Sequence, residues 1–232
     1  MNIDKYNNKY ISIFGDSIST FEGISEPKDA AFYNTERKLN SNVLTLSDAW
    51  WGQVIEKLGA KLLVNNSISG STVTWHPSYE IQSYGCSDER TRALSKDGIL
   101  PDVIIVYLGT NDWGAAVKLS NNEFDSSNDL TIFSVAYSKM LDKLKANYPD
   151  AEIWCVTLAI SCFSKSKTFE FPFYSGGWHI SEYCDIIRVC ATEHDCKIID
   201  LFNTKETYDT IDGFHPNSVG MKTIADAVLN SL

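Results

Sequence analysis

The chain has 232 residues, 44% of them hydrophobic and 22% charged, which is enough for one large α/β domain; residues 1–232 are read as a single unit. Its formal net charge of −10, with no basic cluster interleaved with aromatics, argues against nucleic acid or an anionic membrane surface as partner. No window reaches the roughly 18 apolar residues of a membrane span, and the polar stretch Met1 to Lys9 has no apolar core of signal-peptide length, so a soluble, cytoplasmic protein is expected.

Taken in chain order, the first apolar run, Tyr10 to Phe14, reads as a strand that breaks off at Gly15-Asp16-Ser17. An irregular stretch, roughly Glu22 to Ser47, leads to a helical pattern over Asp48 to Leu58. The second strand, Lys61 to Asn65, runs into Asn66-Ser-Ile-Ser-Gly70, followed by an irregular stretch from Ser71 to Ser87 and a helix over Asp88 to Lys96. The third strand, Asp102 to Leu108, contains Val103-Ile-Ile-Val-Tyr-Leu108, which does not alternate at all. Such a run is expected of a strand covered on both faces at the centre of a parallel sheet.

Gly109-Thr110-Asn111-Asp112 closes that strand, and Trp113 to Asn128 is irregular. Phe133, Ala136, Tyr137, Met140, Leu141, Leu144 and Tyr148 then fall at helical spacing, with Pro149 ending the helix. The fourth strand covers Ile153 to Leu158, an irregular stretch Ser161 to His179, a helix Ile180 to His194, and the fifth strand Lys197 to Leu201. Asp212-Gly213-Phe214-His215-Pro216 precedes a terminal helix whose stripe is Met221, Ile224, Ala225, Val228, Leu229 and Leu232.

Strands alternating with helices imply right-handed βαβ crossovers and a three-layer α/β/α sandwich, with no linker, repeat or low-complexity segment to divide it. Fragments at the carboxyl ends of parallel strands can meet there however distant they are in sequence. The irregular stretches follow the strands and are expected to crowd around that point.

A serine hydroxyl needs a base within reach and a third group to orient the base. Ser17, placed by the turn Gly15 allows, is the candidate nucleophile, and its own backbone N–H would point into the site. His215 is the candidate base, with Asp212 three residues earlier, a separation one loop turn folds so that the carboxylate meets Nδ1 and leaves Nε2 for the serine. Pro216 suits the first turn of the following helix. Gly70, through its backbone N–H, and Asn111, through its amide, are candidate donors to a developing oxyanion. Each fragment also has an ordinary reading: a capping serine, an Asp-Gly turn, a glycine at positive φ, an Asx-turn.

His76, His179 and His194 stand beside no nucleophile or second ligand and are assigned to loops or surface. The six cysteines, Cys86, Cys155, Cys162, Cys184, Cys190 and Cys196, form no C-x-x-C pair and no zinc-like spacing with histidine, so free thiols are expected and no metal site. Trp75, Trp113, Phe163, Trp178 and Phe214 fall in or near the loops that ring the site, either as a sugar- or acyl-binding wall or as ordinary packing.

The four blocks Gly15-Asp16-Ser17, Gly70, Gly109-Thr110-Asn111-Asp112 and Asp212-Gly213-Phe214-His215 resemble those of the SGNH hydrolase family, also called GDSL-type lipases and esterases, and span nearly the whole chain. The resemblance implies a flavodoxin-like five-stranded parallel sheet of order 2-1-3-4-5, no cofactor, and ester hydrolysis through an acyl-serine. It implies the roles of nucleophile and donor for Ser17, oxyanion donors for Gly70 and Asn111, base for His215 and partner for Asp212. Ile18 stands where the family name has leucine and is expected to face the core. No G-x-S-x-G elbow is present, against an ordinary α/β-hydrolase. No long apolar lid is visible, so small or carbohydrate-borne acyl esters, acetyl esters among them, are favoured over oil-interface lipids. The rival readings are a non-catalytic carbohydrate-binding protein on the same scaffold, and a flavodoxin-like phosphate or cofactor binder, which lacks a P-loop or G-x-G-x-x-G after strand one.

Overall fold

The computed structural model describes residues 3–25, 31–76, 84–120 and 128–232. Parts of three expected irregular stretches, at 26–30, 77–83 and 121–127, lie outside the described residues. A 3₁₀ turn (Ile3–Tyr6) leads into β1 (Tyr10–Gly15), followed by α1 (Thr35–Ser41), α2 (Trp50–Lys57), β2 (Lys61–Ser67) and α3 (Asp88–Arg92). β3 (Val103–Tyr107), α4 (Thr110–Gly114), α5 (Phe133–Asn147) and β4 (Glu152–Val156) come next. Then follow the short strands β5 (Ile160–Cys162), β6 (Tyr174–Ser175) and β7 (Trp178–His179). The chain finishes with α6 (Ile180–Glu193), β8 (Lys197–Ile199), α7 (Leu201–Thr204), β9 (Thr207–Asp209) and α8 (Ser218–Asn230).

The central sheet is five-stranded, parallel, and ordered β2-β1-β3-β4-β8, which is the order 2-1-3-4-5 counted over its own strands. β3, Val-Ile-Ile-Val-Tyr, is buried at every position, because helices cover both faces. On one face Ile11, Ile13, Val103 and Ile105 pack with Trp50, Trp51 and Val54 of α2 and Met221, Ile224 and Val228 of α8. On the other, Phe14, Ile104 and Val106 pack with Phe133, Tyr137 and Met140 of α5 and Tyr183 and Ile187 of α6. Gly15 pairs with both Ser67 and Tyr107, so β1, β2 and β3 end level and release their loops at one edge.

Several boundaries differ from the pattern in the sequence. Asp102 is not in the third strand: its carboxylate accepts from the Tyr10 N–H at 2.8 Å and from Lys9 Nζ at 2.7 Å, fastening the start of β1. The last sheet strand stops at Ile199 because Asp200 caps α7, accepting from the Asn203 N–H, which makes Leu201 helical. The stretch 161–179, expected to be irregular, holds part of β5 and the β6–β7 hairpin, and 22–47 holds α1. Pro216 lies outside α8, whose cap is Asn217 accepting from Gly220 N–H.

Candidate active site

Ser17 opens a short 3₁₀ turn, Ser17–Ser19, directly beyond β1, capped by Asp16, whose carboxylate accepts from the Ile18 N–H at 3.0 Å. Gly15 permits this turn by close approach: a Cβ there would sit 2.7 Å from Ser19 Oγ and 3.0 Å from Ser67 Oγ. Ser17 is 7% exposed, and its Oγ lies 3.0 Å from His215 Nε2. His215 Nδ1 in turn lies 2.7 Å from Asp212 Oδ2. Three side chains from opposite ends of the sequence thus form one hydrogen-bonded line.

The loop carrying Asp212 and His215 is fixed along its whole backbone. Successive carbonyls of Gly213, Phe214, His215 and Pro216 accept from Ser161 Oγ, Tyr208 Oη, the Ile211 N–H and Tyr33 Oη. Asp212 Oδ1 accepts from the N–H groups of Phe214, at 3.0 Å, and His215, at 2.8 Å. Burial pushes the Asp212 carboxyl up, but the hydrogen bonds from the His215 ring and from these amides outweigh it and hold the group at about 2. It is therefore ionised across the neutral range and fixes the imidazole with Nε2 toward Ser17. The pair β5–β9 supports the loop from below: Thr210 Oγ1 bonds the Cys162 carbonyl at 2.6 Å, and Asp209 accepts from Ser164 and Asn217.

The imidazole has a third constraint. The Phe32 ring stacks on it at 3.5 Å between centroids and 9° between planes, and the Arg37 guanidinium lies over the Phe32 ring, 4.4 Å from its centroid. Neither residue belongs to a sequence motif. Their only signal is their place in the stretch that follows the first strand.

Gly70 takes φ +76° in the turn after β2, a backbone that side-chain-bearing residues rarely adopt; a Cβ would meet nothing within 4 Å, so conformation and not space requires glycine. Asn111 donates one amide hydrogen to the Ser71 carbonyl at 2.8 Å, which leaves the second hydrogen of its NH₂. Asp112 braces the same segment, accepting from the Val73 N–H at 2.8 Å, the Thr74 N–H at 3.0 Å and Thr74 Oγ1 at 2.7 Å. Both aspartates are fully buried. Burial pushes Asp112 up to about 6 and Asp16 up to about 7, where Asp112 adds repulsion and the Ile18 N–H and Arg90 oppose.

A cavity of about 550 Å³ opens over these groups, lined by Ser17, Gly70, Asn111 and His215 together with Ile18, Thr110, Trp113 and Phe214. Ile18 therefore does two things: it is 3% exposed in the core, as expected, and it also forms part of the cavity wall. Of the five aromatics named from the sequence, Trp113 and Phe214 line the cavity. Trp75, Phe163 and Trp178 do not: Trp75 is held through its backbone N–H by the Leu130 carbonyl, Phe163 packs edge-on against Phe169, and the half-buried Trp178 packs against the core on the α5 side. In their place Phe171 stacks on Trp113 at 5.4 Å, Phe173 packs on Phe171, and the hairpin is tied to the cavity wall by Ser175 Oγ donating to the Gly114 carbonyl at 3.1 Å. His179 caps α6 and His194 ends it, while His76 is exposed. Among the described residues no group of three or more His, Cys, Asp or Glu could hold a metal, and all six cysteines are free.

A family model for GDSL-like lipase/acylhydrolase matches residues 9–161, a span holding Ser17, Gly70 and Asn111 and ending before Asp212 and His215. No curated protein matches the chain in sequence. Among solved structures, a candidate GDSL-like lipase from Bacteroides ovatus is 26% identical, with 97% of each chain covered and a TM-score of 0.73. Another from Bacteroides uniformis is 28% identical over 100% of this chain and 99% of that one, with a TM-score of 0.72. Est24, a carbohydrate acetylesterase from Sinorhizobium meliloti, shares the fold at 16% identity, covering 96% and 98%, with a TM-score of 0.64.

Proposed function

The chain belongs to the GDSL-like lipase/acylhydrolase family, and from that premise we propose that it is a single-domain serine esterase that removes small acyl groups, acetyl among them, from neutral alcohols such as sugars. The observation that carries this reading is the line from Asp212 through His215 to Ser17, 2.7 Å and 3.0 Å in its two steps, opening into the cavity. Ser17 Oγ attacks the ester carbonyl while His215 Nε2 takes its proton, and the carbonyl oxygen becomes an anion held by the backbone N–H groups of Ser17 and Gly70 and by the amide of Asn111. Collapse of this intermediate breaks the bond to the alcohol, which leaves with the proton from His215. Water then attacks the acyl-serine by the same route, giving the acid and restoring Ser17.

The cavity supports the substrate class. His215 is the one ionisable side chain on its lining among the described residues, so the site offers no fixed charge to an anionic acyl group or alcohol. Phe214, 39% exposed, lines the cavity, and Phe173, 40% exposed, packs on Phe171, which stacks on the lining residue Trp113; these aromatic faces suit the apolar face of a sugar ring. Est24 is named a carbohydrate acetylesterase, which agrees with this choice. Free thiols throughout fit the cytoplasm. The test is hydrolysis of p-nitrophenyl acetate and of acetylated sugars. Ser17→Ala should lower kcat by about four to six powers of ten, and equal rates for variant and wild type would dismiss the proposal.

A further inference from the structure

Arg90 stands on α3, outside the four motif blocks and off the cavity lining, yet it is 4% exposed and every arm of its guanidinium is engaged at the site. Nε donates to Asn66 Oδ1 at 2.9 Å, Nη2 to the Asn66 carbonyl at 2.6 Å and the Gly15 carbonyl at 3.1 Å, and Nη1 to Ser71 Oγ. Its plane lies over the Phe14 ring, 4.6 Å from the centroid. Gly15 is two residues before Ser17. Asn66 lies at the end of β2, four residues before Gly70. Ser71 follows Gly70, and its carbonyl holds Asn111. One buried side chain therefore touches the segments that carry Ser17 and Gly70, and reaches Asn111 through Ser71.

We infer that Arg90 is the positioning residue that sets the Gly70 and Asn111 donors in register with Ser17 Oγ, an inference that rests on the serine-esterase reading of the site. The physical reason is the planar fork of the guanidinium, whose five N–H groups have fixed directions and can bond three segments at once. A lysine offers one point charge on a flexible stem and cannot reproduce that geometry. A purely structural buried cation, balancing Asp16, would be replaced by lysine with little effect on turnover. A positioning residue would not, because a displacement of about 1 Å among reacting groups costs on the order of 10² in rate.

The experiment compares wild type with Arg90→Lys, Arg90→Gln and Ser71→Ala on p-nitrophenyl acetate, with the fluorophosphonate-labelled fraction at completion used to count native sites. Arg90→Lys and Arg90→Gln should both lose roughly 30- to 100-fold in kcat per labelled site with KM within about threefold. The Ki of a boronic acid, which mimics the tetrahedral intermediate, should rise in step with the fall in kcat/KM. Ser71→Ala, which keeps the Ser71 carbonyl, should lose about 3- to 10-fold, and adding it to Arg90→Lys should cost less than that. Wild-type turnover per labelled site in Arg90→Lys, or a boronate Ki that does not move, overturns the inference. Should the Arg90 variants fail to fold, Ser71→Ala at full kcat overturns it alone. A wild-type chain that hydrolyses no ester and takes no label instead refutes the esterase reading beneath it.

Discussion

Asp16 shows how a single side chain can serve the site at a cost to the fold. Its carboxylate shapes the turn that presents Ser17, but burial raises its pKa from 3.8 to about 7. Between those values the folded chain keeps a proton that the unfolded chain has released, so the stability owed to this group falls as pH rises through the window. Asp16→Asn keeps an oxygen for the Ile18 N–H and removes the titration. Its Tm relative to wild type should therefore be higher at pH 8 than at pH 5, by a few degrees for each ~1 kcal/mol recovered; a Tm difference independent of pH would contradict the assignment. At the same scale, Phe32→Leu removes the ring stacked on His215. A stacked pair is worth about 0.5–1.5 kcal/mol, so kcat should drop about 3- to 10-fold with KM held, measured by steady-state kinetics on an acetyl ester.

The elements divide into those the sequence announces and those it does not. β3 was legible because an unbroken apolar run has no solvent face, and α5 and α8 because their apolar residues recur at helical spacing. The pair β5–β9 and the β6–β7 hairpin were not, because strands of two or three residues carry no periodicity and are stabilised by what they dock against. Yet they build the site: β9 leads into the Asp212 loop, and the hairpin bonds the cavity wall through Ser175 and the Gly114 carbonyl. The same holds for the residues packed around the proposed site. Ser17, Gly70, Asn111, Asp212 and His215 could be named from fragments at strand ends, whereas Phe32, Phe171 and Arg90 had no local signal, and Trp75, Phe163 and Trp178 shared the aromatic character but face elsewhere. The His215 loop makes this testable. Tyr208→Phe and Tyr33→Phe each remove a donor from a carbonyl of the loop, which should cost about 1 kcal/mol apiece, lower Tm by roughly 2–4 °C, and reduce kcat more than KM. Unchanged Tm and kcat in both would mean that the loop holds itself.

For the whole molecule, a net charge of −10 surrounds a cavity whose lining, among the described residues, carries no fixed charge. Neutral esters should enter without electrostatic penalty, and anionic ones against a repulsive field. Kinetics on acetyl and succinyl esters of one alcohol should show a lower kcat/KM for the succinyl ester that rises with added salt, while the acetyl ester is insensitive to it; equal salt dependence would contradict the reading. Level strand ends bring fragments nearly two hundred residues apart into contact, so the account depends on the sheet placing an activated hydroxyl at position 17. The most direct measurement is exposure of wild type and His215→Ala to a fluorophosphonate, followed by digestion and mass spectrometry. The account predicts one phosphonyl adduct, on the peptide containing Ser17, formed rapidly by wild type and slowed by several powers of ten in the variant; no adduct at Ser17, or labelling that ignores His215, would contradict it.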